Sequence, residues 1–114
     1  MKVVVYTRVS TDKQELAQQV AACKRLCEYK QLEIVAEYSE IASGAKAKRP
    51  QYLTMLSELR RGLYDGVVVF RLDRLGRNAR ELALLIDELE NRGIKVMSVS
   101  ENFDVSVGTF PSGL

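Results

Sequence analysis

This sequence predicts an α/β fold: three layers, α/β/α, around a mainly parallel sheet of four or five strands. Three observations carry that expectation. Short apolar runs recur at residues 3–6, 34–36, 66–70 and 94–99, most of them rich in valine and isoleucine. The stretches between them carry apolar residues at helical spacing. The runs also lack the in–out alternation of a half-exposed strand, so they suit strands covered on both faces, as in a parallel sheet. The predicted order is β-α-β-α-β-α-β.

Each element has its own justification. Val3-Val4-Val5-Tyr6 is apolar and β-branched, a buried strand. Over residues 14–29, Leu16, Val20, Cys23 and Cys27 fall four, three and four apart, one stripe of a helix. Ile34-Val35-Ala36 is a second, weaker strand, and residues 40–49 read as a loop containing Ser43-Gly44. Pro50 suits the first turn of a helix whose apolar face would be Leu53, Leu56, Leu59 and Leu63. Gly66-Val67-Val68-Val69-Phe70 is the third strand. Leu82, Leu85, Ile86 and Leu89 mark a third helix, stopped at Arg92-Gly93, and residues 94–99 form the fourth strand. From Asn102 onward the chain reads as an irregular tail.

Composition narrows the function classes. The 114 residues are 46% hydrophobic and 28% charged, which fits a single globular domain with one modest core. No apolar run approaches the roughly 20 residues of a membrane helix, and the start is too short for a secretory signal. Histidine is absent, which removes the commonest general base, the Ser-His-Asp triad and most zinc sites. The glycine signatures of dinucleotide and P-loop binding are absent too. Cys23 and Cys27 lie on one apolar helix face, as reduced core thiols would; a redox or metal pair is the other reading.

The net charge is only +2, so the distribution of charge is more telling than its sum. Residues 71–80 hold Arg71, Arg74, Arg77 and Arg80 against Asp73 alone, and Lys46, Lys48 and Arg49 form a second cluster. In an open parallel sheet, ligands sit at the carboxyl ends of the strands. The loops at residues 7–13, 39–49 and 71–77 should therefore meet at one edge. Several arginines gathered there repel one another unless an anion lies among them. A solvated basic face is the plainer alternative, just as helix capping is the plainer role for Ser10, Thr11 or Asp12. A serine hydroxyl flanked by arginine forks, Arg8 among them, suits phosphoryl transfer: the forks stabilise charge gathering on phosphorus and on the forming alkoxide.

These residues resemble a known family. Tyr6-x-Arg8-Val9-Ser10-Thr11, then Ser43-Gly44 with Arg49, then Leu72-Asp73-Arg74-Leu75-Gly76-Arg77 look like the catalytic domain of serine site-specific recombinases: resolvases, DNA invertases and large serine integrases. The likeness spans nearly the whole chain, with the motifs in family order. It implies a serine nucleophile, Ser10, that attacks a DNA phosphodiester and forms a 5′-phosphoserine link while the 3′ hydroxyl leaves. It implies that Arg8, Arg49, Arg74 and Arg77 bind and activate the phosphate, and that Asp73 moves a proton or holds arginines in place. Tyr6, Gln14, Gln19, Ser43 and Arg71 take supporting or phosphate-contacting positions. No metal or cofactor is implied. The implied partners are DNA and further copies of the chain, as dimer or tetramer, without a membrane and in the cytoplasm. Glu40 departs from the pattern, since relatives often carry Asp there. The resemblance also implies that residues 1–114 are a catalytic-domain piece of a longer protein, whose dimer helix and DNA-binding domain lie elsewhere. Two other readings stand beside this one: a non-catalytic module that binds a phosphorylated ligand or a partner, and a phosphatase or nuclease that hydrolyses rather than rejoins.

Overall fold

In the computed structural model the structure describes residues 1–41 and 48–101, together with the strand residues 103 and 104. The sheet has five strands in the order β2-β1-β3-β4-β5. These are β1 (Lys2–Val9), β2 (Glu33–Ile41), β3 (Gly66–Val69), β4 (Lys95–Ser98) and β5 (Phe103–Asp104). β1 to β4 are all parallel, and β5 runs antiparallel to β4. Three helices connect them: α1 (Lys13–Tyr29), α2 (Pro50–Arg60) and α3 (Ala79–Asn91), with a 3-10 turn at Leu72–Arg74.

The strands divide the core into two clusters. On one face Val3, Val5, Val68 and Met97 pack against Cys23 and Cys27 of α1. On the other, Val4, Tyr6, Val67, Val69 and Val96 pack against α2 and α3. Side chains alternate across a strand, so Arg8 follows Val4 and Tyr6 onto the α2–α3 side. Both cysteines are free and buried. Burial pushes the Cys23 thiol up to about 12, so it stays protonated and acts as packing.

Local chemistry sets the helix ends. Asp12 caps α1, accepting from the backbone N–H groups of Gln14 and Glu15 at 2.8 and 3.1 Å. The cap is therefore Asp12 rather than Ser10 or Thr11, and Ser10 stays exposed outside the helix. Asn78 caps α3 in the same way through Glu81 N. Gly93, at φ 76°, supplies the left-handed turn that ends α3, as its place after Arg92 predicts.

Several boundaries differ from the sequence reading. β2 is longer, reaching Ile41, because an edge strand tolerates the alternating pattern Glu33-Ile34-Val35-Ala36-Glu37 that weakens its apolar signal. β1 likewise continues through Thr7, Arg8 and Val9. The buried face of α2 is Tyr52, Met55, Leu56 and Leu59, whereas Leu53 and Leu63 are 63% and 46% exposed. Phe103 and Asp104 form a strand where an irregular tail was expected.

Candidate active site

The parallel register brings the polar stretches to one edge of the sheet. Tyr6 is opposite Val69, the last residue of β3, so β1 continues past β3 through Arg8 and Val9, with Ser10 next. On its other side β1 stays paired with β2, Arg8 opposite Glu40 and Val9 opposite Ile41. Arg71, Asp73 and Arg74 leave the end of β3 at the same edge. Arg49 is the N-cap of α2 there.

A buried carboxylate joins these pieces. Glu40 accepts from the Tyr6 hydroxyl at 2.6 Å, from Tyr52 N at 3.1 Å and from Gln51 N at 3.1 Å. Arg49 makes no side-chain cap of its own. The first N–H groups of α2 are thus capped from β2, by a charge of the sign the helix N-terminus favours. Burial and the Glu40 carboxylate push Tyr6 above the ordinary phenol range, with Arg8 and Arg49 opposing, so Tyr6 remains a proton donor to Glu40.

The arginines around this knot are held but incompletely paired. Arg49 is buried, its guanidinium carbon 4.4 Å from the centre of the Tyr52 ring. Its Nη2 lies 4.0 Å from Glu81. Asp73 stands between Arg71 and Arg74, at 3.4 and 3.5 Å. Three buried guanidinium nitrogens, Arg8 Nε, Arg49 Nη1 and Arg74 Nε, find no hydrogen-bond partner among the described residues. Buried donors of this kind are normally satisfied, so their convergence at one edge suits an oxyanion. A groove lined by Arg49, Tyr52, Arg77 and Glu81 opens from this edge between α2 and α3.

The other expected site residues divide. Arg77 is exposed, and its backbone N–H donates to Glu81. Tyr6 is fully buried and serves through Glu40. Gln14 lies exposed in the first turn of α1. Gln19 is buried, donating to Glu15 at 3.2 Å, while its Oε1 has no partner among the described residues. Ser43 lies outside the described residues, as do Gly44 and Lys46. Among the described residues no group of three or more Cys, Asp or Glu side chains could hold a metal ion.

Residues 3–109 match the family described as resolvase, N-terminal domain. The chain belongs to that family. As a resolvase-family domain it is similar to a DNA-invertase of Escherichia phage P1, 42% identical over 101 residues that make 89% of this chain and 50% of the relative. It is also similar to the transposon Tn552 resolvase of Staphylococcus aureus, 40% identical over 91% of this chain and 49% of that protein. The chain thus spans about half the length of the curated relatives it matches. Among solved structures, a resolvase family site-specific recombinase from Streptococcus pneumoniae superposes with a TM-score of 0.81 at 31% identity, over 93% of this chain and 76% of that one.

Two residues of this candidate site are not marked by the sequence. Tyr52 lies off the apolar face that the leucine spacing predicts for α2, and nothing local marks an aromatic that faces an arginine. Glu101 follows β4 and accepts from Leu72 N at 3.2 Å, capping the 3-10 turn that carries Asp73 and Arg74. Its partner lies 29 residues away in sequence, which no local pattern announces.

Proposed function

We propose that this chain carries the strand-cleaving and rejoining centre of a serine site-specific recombinase. Ser10 Oγ attacks the phosphorus of a DNA phosphodiester. An Oγ–P bond forms as the P–O3′ bond breaks; the serine proton passes to water, and the 3′ oxygen takes up a proton in its place. Arg8, Arg49 and Arg74 bind the non-bridging oxygens, which gain charge in the transition state. Asp73, paired with Arg71 and Arg74, holds these arginines in place or passes a proton to the leaving oxygen. The phosphoserine ester retains the bond for rejoining, so the 3′ hydroxyl of an exchanged strand reverses the step.

The observation that carries this reading is the set of three buried guanidinium nitrogens, unpartnered among the described residues, on segments that reach the same end of the sheet as the exposed Ser10. Family membership supports it. Each copy offers one Ser10, so cutting both strands of a duplex takes two copies and exchanging two duplexes takes four. The work is done on DNA, in the cytoplasm; among the described residues no helix is long and apolar enough to cross a membrane.

The test is to incubate the protein with supercoiled DNA carrying its own gene and flanks, denature, and look for protein joined to a 5′ end. A covalent adduct is expected, and Ser10→Ala should fold normally and form none. Adduct formation at the unsubstituted level in Ser10→Ala would refute the assignment, and nicking without adduct would point to hydrolysis.

A further inference from the structure

We propose that Tyr52 is a positioning residue of the phosphate site: its ring seats the Arg49 guanidinium, and its hydroxyl holds the backbone between Arg74 and Arg77. The proposal rests on the reading of Ser10 and its arginines given above.

Tyr52 touches every element that brings an arginine to this edge. Its backbone N–H donates to Glu40, at the end of β2. Its ring lies 5.5 Å from that of Tyr6, tilted by 55°, on the strand that carries Arg8. Arg49 sits over the ring at 4.4 Å. The Tyr52 hydroxyl donates to the carbonyl of Leu75, the residue directly after Arg74 and two before Arg77. Tyr52 and Leu75 are both buried, so these contacts are shielded from competing water.

The kind of contact matters as much as its place. A carboxylate partner would hold Arg49 by occupying its N–H groups. An aromatic face holds the guanidinium through its plane and leaves the N–H edges free. Arg49 has such a free edge, since Nη1 is buried without a partner among the described residues. The ring therefore orients the cation without itself using up the guanidinium's N–H donors. The hydroxyl fixes a second distance, from α2 to the loop that follows the 3-10 turn. Arginines from two different elements then keep one separation, the requirement for gripping a single phosphate in reactive geometry.

The two roles separate by substitution in the full chain. Tyr52→Phe keeps the ring and loses the tether, whereas Tyr52→Leu loses both and retains apolar bulk. The Arg49 side-chain proton resonances report the ring directly. They should be shifted upfield in the unsubstituted chain and in Tyr52→Phe, and return to ordinary values in Tyr52→Leu. The rate of the Ser10–DNA adduct should fall about 10-fold in Tyr52→Phe and about 100-fold in Tyr52→Leu, the scale of an ångström's misplacement, with DNA affinity unchanged. A role confined to packing would lower the melting temperature without moving the Arg49 resonances or separating rate from affinity. If Tyr52→Leu does not fold, Tyr52→Phe against the unsubstituted chain still tests the tether. Unchanged Arg49 resonances in Tyr52→Leu, or unsubstituted adduct rates in Tyr52→Phe, overturn the proposal. An unsubstituted protein that forms no adduct overturns the Ser10 reading instead, and the resonance shift then decides Tyr52 by itself.

Discussion

The Tyr6 hydroxyl donates to Glu40 Oε1 at 2.6 Å, and because Glu40 also accepts from Gln51 N and Tyr52 N, this carboxylate ties the strand that carries Arg8 to the helix that begins beside Arg49. Glu40 can do this because it lies near the end of β2, opposite Arg8 of β1, and faces the first N–H groups of α2. The same carboxylate therefore serves packing and site geometry together.

Removing it should show in stability. Glu40→Ala leaves a buried phenol and two helix N–H groups without their acceptor, a cost of about 2–4 kcal/mol. Glu40→Gln retains one acceptor oxygen but sets an amide N–H against a backbone N–H, and should cost about 1–2 kcal/mol. Urea unfolding measures both. Equal stability of Glu40→Ala and the unsubstituted chain would mean that α2 is capped by something else.

High pH should weaken the fold through the buried phenols. Burial, then the Glu40 carboxylate, raise Tyr6 above its unfolded value, and burial followed by Glu58 does the same for Tyr64. A raised folded value means that the unfolded chain loses its proton first. Stability is then fully present below about pH 10 and falls as pH rises beyond it, by about 1.4 kcal/mol per pH unit for each such phenol. Tyr6→Phe should make the decline shallower by one such increment. Urea midpoints taken from pH 8 to 11.5 would show it, and an unchanged slope in Tyr6→Phe would count against the buried Tyr6 phenol as its source.

Gly76 lies between Arg74 and Arg77 for reasons of space. A Cβ there would stand 2.7 Å from Leu82 N and 2.9 Å from Leu82 Cα, backbone atoms of α3 that cannot swing aside. Gly76→Ala should cost about 1–3 kcal/mol, the scale of overpacking, and shift the loop bearing Arg77. Thermal melts together with adduct rates check it; a variant as stable and as active as the unsubstituted chain would show that the loop has room to move.

What the sequence made legible follows from how local each signal is. β1, β3 and β4 stand inside the sheet, and in β1 and β3 the burial on both faces shows as unbroken valine runs, Val3-Val4-Val5 and Val67-Val68-Val69, that are easily seen. β2 lies at the edge, where polar residues are tolerated, and its length stayed hidden in Glu33-Ile34-Val35-Ala36-Glu37. α2 has apolar residues on two adjoining faces. Leu53 and Leu63 lured the reading about one residue around the helix, away from the Tyr52 and Met55 that are buried. At the candidate site, Arg8, Arg49, Arg71 and Arg74 stood out by their charge, while the roles expected of Ser10 and Asp73 came from the resemblance to serine recombinases. Glu40, Tyr52 and Glu101 act on partners 34, 23 and 29 residues away. Contacts at that range exist only once the sheet is assembled.

Inorganic phosphate should stabilise this chain more than an equal ionic strength of chloride. Arg8 Nε, Arg49 Nη1 and Arg74 Nε are buried donors without partners among the described residues, so an oxyanion that reaches them binds the folded state alone. At a concentration about ten times its dissociation constant, such a ligand adds about 1.4 kcal/mol, a rise of about 5 °C in Tm for a domain of this size. Phosphate also stabilises proteins generically, by exclusion from their surfaces. That contribution is nearly the same for a variant with one surface changed little, so the deciding quantity is a difference. In Arg74→Ala one of the three donors and one positive charge are gone, and the phosphate-specific increment should fall to less than about half. Arg74→Lys restores charge without the planar fork and should recover only part of it. Equal phosphate increments in the unsubstituted chain and Arg74→Ala would mean that these guanidinium groups do not share an anion, and the reading of the edge as a phosphate site would have to be given up.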